Sequence, residues 1–317
     1  MSRPMPRPLS EPLPQPPSQP FAEPLTRPAL STVAELLKPI TWFPPMWAFA
    51  CGVVASGLSP IEQWPIVVIG VLLAGPLVCA TSQAVNDWFD RHVDAINEPQ
   101  RPIPSGRMPG RWGLGIAVAW TALSLAVATL LGPWGFGAAV LGLVLAWMYS
   151  APPFRLKANG WWGNLACGLS YESLAWVTGA AVMAGGAMPD PRSLGLALLY
   201  GLGAHGIMTL NDFKAIQGDR RMGIRSLPVQ LGADGAARFA CWAMALPQVV
   251  VIGLLLAWDR PLHAAGVAAL LVGQFVLMRW FVARPIERAL PYSGFGVPLY
   301  VAGMMVAAFA LRSIGGA

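Results

Sequence analysis

Charged side chains are scarce in this 317-residue sequence. Asp, Glu, Lys and Arg together make up 11% of it, against about 25% in an average soluble domain. Hydrophobic residues make up 55%. Apolar runs of about 20 residues, the length that a membrane-crossing helix requires, recur along the chain. The composition therefore excludes an ordinary soluble protein and predicts a polytopic membrane protein.

Several other signatures are absent. No Gly-x-x-x-x-Gly-Lys-Ser/Thr motif occurs, which excludes a P-loop nucleotide site. The four cysteines lie within apolar runs and lack the spacing of metal ligands, so we expect them to serve in packing. The N-terminal stretch has no apolar h-region, which argues against a signal peptide. It holds ten of the 31 prolines within residues 1–28, and we expect residues 1–34 to form a disordered cytoplasmic arm.

The apolar runs predict an all-α bundle of nine transmembrane helices within a single domain, residues 35–317. Transmembrane barrels would instead show alternating segments of about ten residues. The nine predicted spans are 40–58, 65–85, 112–131, 134–149, 161–184, 194–210, 236–258, 264–283 and 293–311.

The basic residues predict the orientation. With the N-terminus in the cytoplasm, 18 of the 21 Lys and Arg residues lie on the cytoplasmic side, and only Arg192, Arg260 and Arg312 lie on the other. This distribution satisfies the positive-inside rule. The net charge of +6 therefore reflects membrane topology rather than affinity for nucleic acid.

A cluster of acidic residues follows the second apolar run. Asp87, Asp90 and Asp94 are separated by three and four residues, which places them on one face of a helix. Carboxylates this close repel one another, and a divalent cation removes the repulsion. Mg²⁺ prefers carboxylate oxygens and commonly brings substrate phosphates with it. The preceding residue, Asn86, offers a further oxygen ligand.

A second copy of the motif follows the sixth run. Asn211, Asp212 and Asp219 repeat the offsets of the first motif, with Ala215 at the position of its middle Asp. The predicted second and sixth helices both run toward the cytoplasm, so both motifs reach one membrane face. We expect Gly218 to interrupt the helix and to leave Asp219 in a loop.

Basic residues surround both motifs. Mixed carboxylates and cations suit a metal-bound diphosphate, because Arg and Lys contact phosphate oxygens while carboxylates hold the metal. The apolar bundle beside them suits a long hydrocarbon tail. A diphosphate site next to a hydrocarbon site indicates a prenyl diphosphate as the substrate. For two intramembrane residues, Glu172 and His205, the sequence does not decide between a packing role and a functional role. The candidate diphosphate ligands are Arg91, Arg101, Arg107, Arg155, Lys157, Lys214, Arg220 and Arg225.

At this point the motifs match a known family. Asn86-Asp87-x-x-Asp90-x-x-x-Asp94, the second Asp motif and the following Gly223-Ile-Arg-Ser-Leu-Pro resemble the UbiA superfamily of intramembrane prenyltransferases over residues 35–312. Longer motifs resemble the chlorophyll and bacteriochlorophyll synthases of this superfamily, and their residues favour the bacteriochlorophyll branch. These motifs are residues 90–107, 149–157 and 211–219.

The resemblance implies Mg²⁺-dependent transfer of a geranylgeranyl or phytyl group to the propionate of a chlorophyllide-type pigment, with release of diphosphate. It also implies an integral protein of the bacterial inner or intracytoplasmic photosynthetic membrane, with the site facing the cytoplasm. Association with other pigment-biosynthesis enzymes stays open. On this reading Asp87, Asp90 and Asp94 hold one Mg²⁺, Asp212 and Asp219 hold a second, and Asn86 and Asn211 orient or join them.

One departure concerns the second motif. Ala215 and Gln217 stand where many superfamily members carry further acidic residues, so the second metal would have few ligands.

Three alternatives remain at this stage. One is another UbiA-type enzyme with a quinone precursor or a haem as acceptor. Another is a secondary transporter, although transporters bind their substrates near the bilayer midplane. The third is a structural pigment-binding protein, which leaves the paired Asp motifs unexplained.

Overall fold

A computed structural model describes residues 26–315, and the fold is all-helical. The helices are α1 (Leu30–Leu37), α2 (Phe43–Ala55), α3 (Trp64–Asn97), α4 (Trp112–Ala128), α5 (Gly132–Ser150), α6 (160–183), α7 (Pro191–Asp212), α8 (Ile216–Arg221), α9 (Leu227–Ala257), α10 (Pro261–Ala283) and α11 (Pro285–Gly315).

The first helix begins inside the segment that the sequence assigns to the proline-rich arm. Residues 30–34 are the first residues of α1 and are therefore helical rather than disordered. Residues 1–25, which hold most of the predicted arm, lie outside the described residues.

Proline and glycine set several helix boundaries. Pro191 and Pro261 are the first residues of α7 and α10, where a missing N–H costs nothing and the fixed φ suits the helix. Gly132 has a φ of 71° and separates α4 from α5. Gly232, also at φ 71°, is non-helical and divides α9 into a short first segment from Leu227 and a long segment that follows the kink, near the predicted start at residue 236.

Six helical segments are long and apolar enough to cross a membrane by length and composition. The predicted spans at 40–58 and 161–184 coincide with two further segments. The first is the 13-residue helix α2. The second is α6, which contains a π-helical stretch at Leu169–Leu174. The six segments are Trp64–Asn97, Trp112–Ser150, Pro191–Asp212, Leu227–Ala257, Pro261–Ala283 and Pro285–Ile314.

Small residues let the helices cross closely. A β-carbon built on Gly52 of α2 would lie 1.9 Å from the carbonyl oxygen of Trp176 in α6. One built on Gly179 of α6 would lie 2.2 Å from the carbonyl oxygen of Phe49 in α2. Helices inside a membrane associate largely through such close packing, since lipid offers no hydrophobic driving force between them. The α2–α6 crossing is therefore built around these two glycines.

The fold positions the two acidic motifs at helix ends. Helix α3 continues past the predicted end of its apolar run and carries the first motif in its last turns. Helix α7 ends on Asp212 itself. The short α8 follows at once and packs on the end of α3. Both motifs thus lie at one end of the bundle.

Candidate active site

The first motif occupies one face of α3, as its spacing predicts. Asp87 is buried, with 1% of its surface exposed, and Asp94 is buried as well. Asp90 lies between them at intermediate exposure. Asn86 donates from Nδ2 to Asp90 Oδ2 at 3.0 Å and to Ser150 Oγ at 3.3 Å, so its amide orients the middle carboxylate.

Arg101, predicted as a diphosphate ligand, lies directly against this motif. Its Nη1 donates to Asp94 Oδ2 at 2.8 Å and to Asp87 Oδ1 at 3.2 Å, and the guanidinium also pairs with Glu98. Burial alone would lower the pKa of Arg101, but the attraction of Asp87 and Asp94 outweighs it and raises the pKa. Arg101 therefore neutralises the repulsion between two carboxylates.

Lys38 is a site residue that the sequence reading placed only among the cytoplasmic cations. It follows α1 in the left-handed conformation and donates from Nζ to Asp87 Oδ1 at 2.6 Å. The buried Leu36 and Leu37 of α1 belong to the same apolar cluster as Ala84 of α3, and this packing brings Lys38 to the site. Charge alone could not have identified it among the 21 basic residues.

Arg107 holds α1 in place rather than touching the acidic motif. Its Nη2 lies 2.8 Å from Glu35 Oε1 and also donates to the carbonyl oxygen of Gln100. The hydrogen bond from Arg107 lowers the pKa of Glu35. Because both side chains are more than 40% exposed, solvent screens their attraction and the pair adds little to stability.

Lys157 lies between the two motifs. It sits in the loop between α5 and α6 and pairs with Asp90, while Arg155 Nη2 lies 3.6 Å from Asp90 Oδ1. Burial lowers the pKa of Lys157, although the negative charge of Asp90 opposes the shift. The positive charge of Lys157 also acts on Asp219, where it partly offsets the rise in pKa that burial causes. Lys157 therefore pairs with one acid of the first motif, and its charge reaches one acid of the second.

The second motif is divided between two helices. Asp212 ends α7, and Asp219 lies within the separate short helix α8. The expectation that Gly218 breaks the helix and leaves Asp219 in a loop is therefore wrong. The break comes earlier, directly after Asp212, and Gly218 is itself helical.

Asn164 of α6 is a second residue that the sequence analysis missed. It is buried, and its Nδ2 donates to Asp212 Oδ2 at 3.0 Å and to Thr209 Oγ1 at 3.4 Å. No spacing rule signals it, since it lies within an apolar run and outside both motifs. Asp219 is also buried. Burial raises its pKa, Ser226 and Lys157 oppose the shift, and the charge of Asp90 adds to it.

Contacts between α8 and α3 bring the two motifs together. A β-carbon built on Gly218 would lie 2.2 Å from Asn97 Oδ1, so a larger residue here would have to push the Asn97 side chain aside. Beside it, Lys214 Nζ lies 3.5 Å from Glu98 Oε1. The acids of both motifs therefore share one polar region at one end of the bundle.

The other candidates lie farther from the carboxylates. Arg91 stacks on the Trp88 ring at 4.6 Å and donates to the Trp88 carbonyl oxygen. Asn211, Arg220 and Arg225 are exposed. The backbone of Arg225 nevertheless matters, because its N–H donates to the Ala158 carbonyl oxygen at 2.9 Å and ties this segment to the Lys157 loop.

Substitution of Gly218 tests whether the motifs must meet. Gly218→Ala should overpack the contact with Asn97 at a cost of about 1–3 kcal/mol, displace α8 and lower the activity of the site. Restoring space with Asn97→Ala in the same chain should recover most of the loss. Gly253→Ala is the matched control, because a β-carbon at Gly253 meets only open space. Full activity in Gly218→Ala would contradict a shared site.

The donor set fits a hard divalent cation. Asp87 Oδ2 and Asp90 Oδ1 are buried and have no hydrogen-bond partner among the described residues, which leaves two carboxylate oxygens free to bind one. Within residues 26–315 no three His, Cys, Asp or Glu side chains are gathered tightly enough to hold a metal ion. In the free protein these carboxylates are instead paired with Lys38, Arg101 and Lys157.

The two intramembrane residues left open by the sequence are both buried. Glu172 lies in the π-helical stretch of α6, and its Oε2 has no partner among the described residues. His205 lies in α7, two turns before Asp212, with its Nε2 3.1 Å from the carbonyl oxygen of Trp161.

Comparisons with known proteins agree on one family. Residues 41–295 match the UbiA prenyltransferase family. The chain is 58% identical over 287 residues to the Bacteriochlorophyll synthase 33 kDa chain of Cereibacter sphaeroides, covering 90% of this chain and 95% of that one. It is 38% identical to the chloroplastic Chlorophyll synthase of Arabidopsis thaliana, covering 87% and 73%.

A solved structure shares the fold. A UbiA homolog from Archaeoglobus fulgidus, bound to GPP and Mg²⁺, superposes with a TM-score of 0.61 over 89% of this chain and 99% of that one, at 20% identity.

Proposed function

The chain belongs to the UbiA prenyltransferase family, and from this premise we propose that it esterifies the propionate of a bacteriochlorophyllide-type pigment with a geranylgeranyl or phytyl group. The donor is the prenyl diphosphate, and diphosphate is released. The relatives named as bacteriochlorophyll and chlorophyll synthases support this acceptor, since they match nearly the whole domain.

One observation carries the proposal: two acidic motifs, in which Asp87, Asp94 and Asp219 are buried, meet at one end of an apolar bundle and are paired with cations. Asp90 pairs with Lys157, and Asp219 lies near enough for the charges of Asp90 and Lys157 to act on its carboxylate. A diphosphate is a polyanion with many oxygen acceptors, and such a mixed site can hold its metals and its free oxygens at once. The hydrocarbon chain then extends into the apolar bundle.

The carboxylates and cations take separate roles. Asp87, Asp90 and Asp94 would hold one Mg²⁺, and Asp212 with Asp219 a second. When bound, Mg²⁺ supplies Lewis-acid stabilisation of the negative charge on the departing diphosphate. The UbiA homolog bound to GPP and Mg²⁺ supports this use of a divalent metal.

The basic side chains beside the first motif would bind the phosphate groups of the donor. Lys38 and Arg101 occupy Asp87 Oδ1 in the free protein. With a metal held at these carboxylates, Lys38 and Arg101 would be available to donate to phosphate oxygens, as would Lys157 and Arg155, which pair with Asp90. Preorganised donors of this kind stabilise charge as it develops.

The acceptor needs little activation. A propionate with an ordinary pKa near 4 is already ionised at neutral pH, so its oxygen is a competent nucleophile without a neighbouring base. The C–O bond between the allylic carbon and diphosphate breaks, and the carboxylate oxygen forms the new ester bond. The water-poor interior of the bundle limits loss of the allylic cation to hydrolysis.

The distribution of basic residues supports a membrane topology for the protein. We propose nine membrane crossings, with the N-terminus and the active site on the cytoplasmic side of a bacterial inner or intracytoplasmic membrane. The acidic motifs lie at the end of the bundle that is rich in Arg and Lys. Arg192 begins the opposite end of α7, and Arg260 donates to the Ser313 carbonyl oxygen at 3.0 Å near the C-terminus.

Product analysis tests the function. Purified protein, Mg²⁺ and geranylgeranyl diphosphate should convert bacteriochlorophyllide into a prenyl ester that mass spectrometry identifies. A quinone precursor or a haem in place of the pigment should give no product. Prenylation of either of those acceptors, with none of the pigment, would reassign the protein to another reaction of the family.

A further inference from the structure

Glu98 lies where the two acidic motifs meet and has no role in the chemistry described above. It directly follows α3, which carries the first motif. Its Oε2 pairs with Arg101, and its Oε1 lies 3.5 Å from Lys214 Nζ. Lys214 follows Asp212, the first acid of the second motif, by two residues. One carboxylate therefore contacts a basic residue beside each motif.

The backbone holds Glu98 in a defined turn. Its N–H donates to the Asp94 carbonyl oxygen at 2.7 Å, and the Arg101 N–H donates to the Glu98 carbonyl oxygen at 3.0 Å. The ion pair between the Glu98 and Arg101 side chains spans the same three residues. Two hydrogen bonds and an ion pair thus fix the place of Glu98 relative to the first motif.

Arg101 uses its two terminal nitrogens for different partners. Nη1 lies 2.8 Å from Asp94 Oδ2 and 3.2 Å from Asp87 Oδ1, whereas Nη2 pairs with Glu98. A guanidinium is a rigid planar fork, so a partner on one nitrogen sets the direction of the other. Glu98 therefore determines that Nη1 is the nitrogen turned toward the acids of the first motif.

Lys214 is held toward the first motif by the same carboxylate. Its side chain is 61% exposed, and a lysine side chain in water has many accessible rotamers. An exposed ion pair of this kind adds little to stability. Its effect is instead to keep the ammonium group near the end of α3 before a substrate arrives. A cation that is already in place loses less entropy when phosphate binds.

We propose that Glu98 is a positioning residue for the prenyl diphosphate, which orients Arg101 and Lys214 toward the phosphate oxygens. The inference rests on the proposed function, which makes a diphosphate the leaving group at this site. Glu98 acts through the two cations, because its own negative charge is repelled by phosphate. Arg101 Nη2 stays on Glu98 while Nη1 turns from the carboxylates to a phosphate oxygen. Donors that are held in this way bind the polyanion without reorganisation.

Direct binding of the donor tests this role. Geranylgeranyl diphosphate with Mg²⁺ is titrated into the purified full chain, and binding is followed by calorimetry. Glu98→Gln should weaken donor binding about tenfold, the usual cost of losing a hydrogen bond to a charged group. Glu98→Asp keeps the charge on a shorter side chain and should recover part of the loss. In transfer assays the KM for the donor should rise in Glu98→Gln, while the KM for the pigment stays unchanged.

A second background separates positioning from general destabilisation. In Arg101→Lys there is no fork to orient, so adding Glu98→Gln should cost much less than it does in the wild type. With Lys214→Gln added as well, it should cost nothing further. Glu287→Gln is the matched control, because Glu287 pairs with Arg284 across the same three-residue separation, at 3.5 Å, but at the start of α11. It should bind the donor like the wild type.

Four results would overturn the proposal. They are unchanged donor binding in Glu98→Gln, tighter donor binding in that variant, equal losses for donor and pigment, and full additivity with Arg101→Lys. Glu98→Asp carries the test if the glutamine variant does not fold. If the wild-type chain binds geranylgeranyl diphosphate with Mg²⁺ but forms no pigment ester, the proposed acceptor fails instead, and the role of Glu98 stands.

Discussion

Asp87→Asn should reduce prenyl transfer by about a hundredfold to a thousandfold while the protein still inserts and purifies normally. Loss of one preorganised group that stabilises developing charge typically costs this much. Asp87 is the most buried acid of the first motif, and its Oδ2 is free for a metal. An amide keeps the shape but removes the charge that attracts the cation.

Asp87→Asn should leave the hydrogen bonds around residue 87 largely in place in the free protein. Lys38 and Arg101 both donate to Asp87 Oδ1, and an asparagine oxygen can still accept from them. The fold should therefore survive, and the loss should appear as a higher Mg²⁺ concentration at half-maximal activity and as a lower kcat. Activity at several Mg²⁺ concentrations measures both.

Arg192→Ala is the control for this experiment. Arg192 is the second residue of α7, at the end of that helix opposite the acidic motifs, and 41% of its side chain is exposed. It should be nearly silent. Wild-type transfer by Asp87→Asn at low Mg²⁺ would show that Asp87 is not a metal ligand.

The first motif could be predicted from sequence because its information is local. Spacings of three and seven residues on one helix fix the relative positions of Asp87, Asp90 and Asp94 without knowledge of the rest of the fold. The structure places all three on α3, and it adds Asn86 as a donor to Asp90. Local periodicity is enough wherever one regular helix carries the whole pattern.

Lys38 and Asn164 were not predictable in this way. Each reaches a motif only through packing between helices that are distant in the sequence. Nothing local distinguishes Lys38 from other basic residues, and a single Asn in an apolar run is no signal. The prediction for the chain after Asp212 was also wrong: the helix ends at Asp212 itself, and Gly218 lies within the next helix, where it packs closely against Asn97 of α3.

The positions of the membrane spans could be predicted from the sequence better than their ends. Composition predicts the apolar runs well, since hydropathy is a property of each run by itself. It predicts their ends poorly. Helix α3 runs to Asn97, because polar residues continue a helix once it leaves the apolar layer. That extension carries most of the first motif, which hydropathy alone does not locate.

Asp212→Asn should lower transfer about a hundredfold and should tell whether the second motif takes part in the chemistry. Asp212 is the last residue of α7, and Asn164 fixes its Oδ2. An asparagine can meet that bond by turning its oxygen toward Asn164, so the local structure should hold while the negative charge is lost. Transfer measured at saturating Mg²⁺ and prenyl diphosphate reports the effect on kcat.

The same helix supplies a matched control. Asp190 caps the start of α7 by accepting from the Arg192 N–H at 2.7 Å, about 33 Å from Asp212 along a 22-residue helix. Asn caps helices as well as Asp does, so Asp190→Asn should leave both stability and transfer unchanged. If Asp212→Asn behaved like Asp190→Asn, the first motif alone would carry the diphosphate. A strong loss confined to Asp212→Asn would instead require the two motifs to act on one substrate, because their shared polar region lies at only one end of α7.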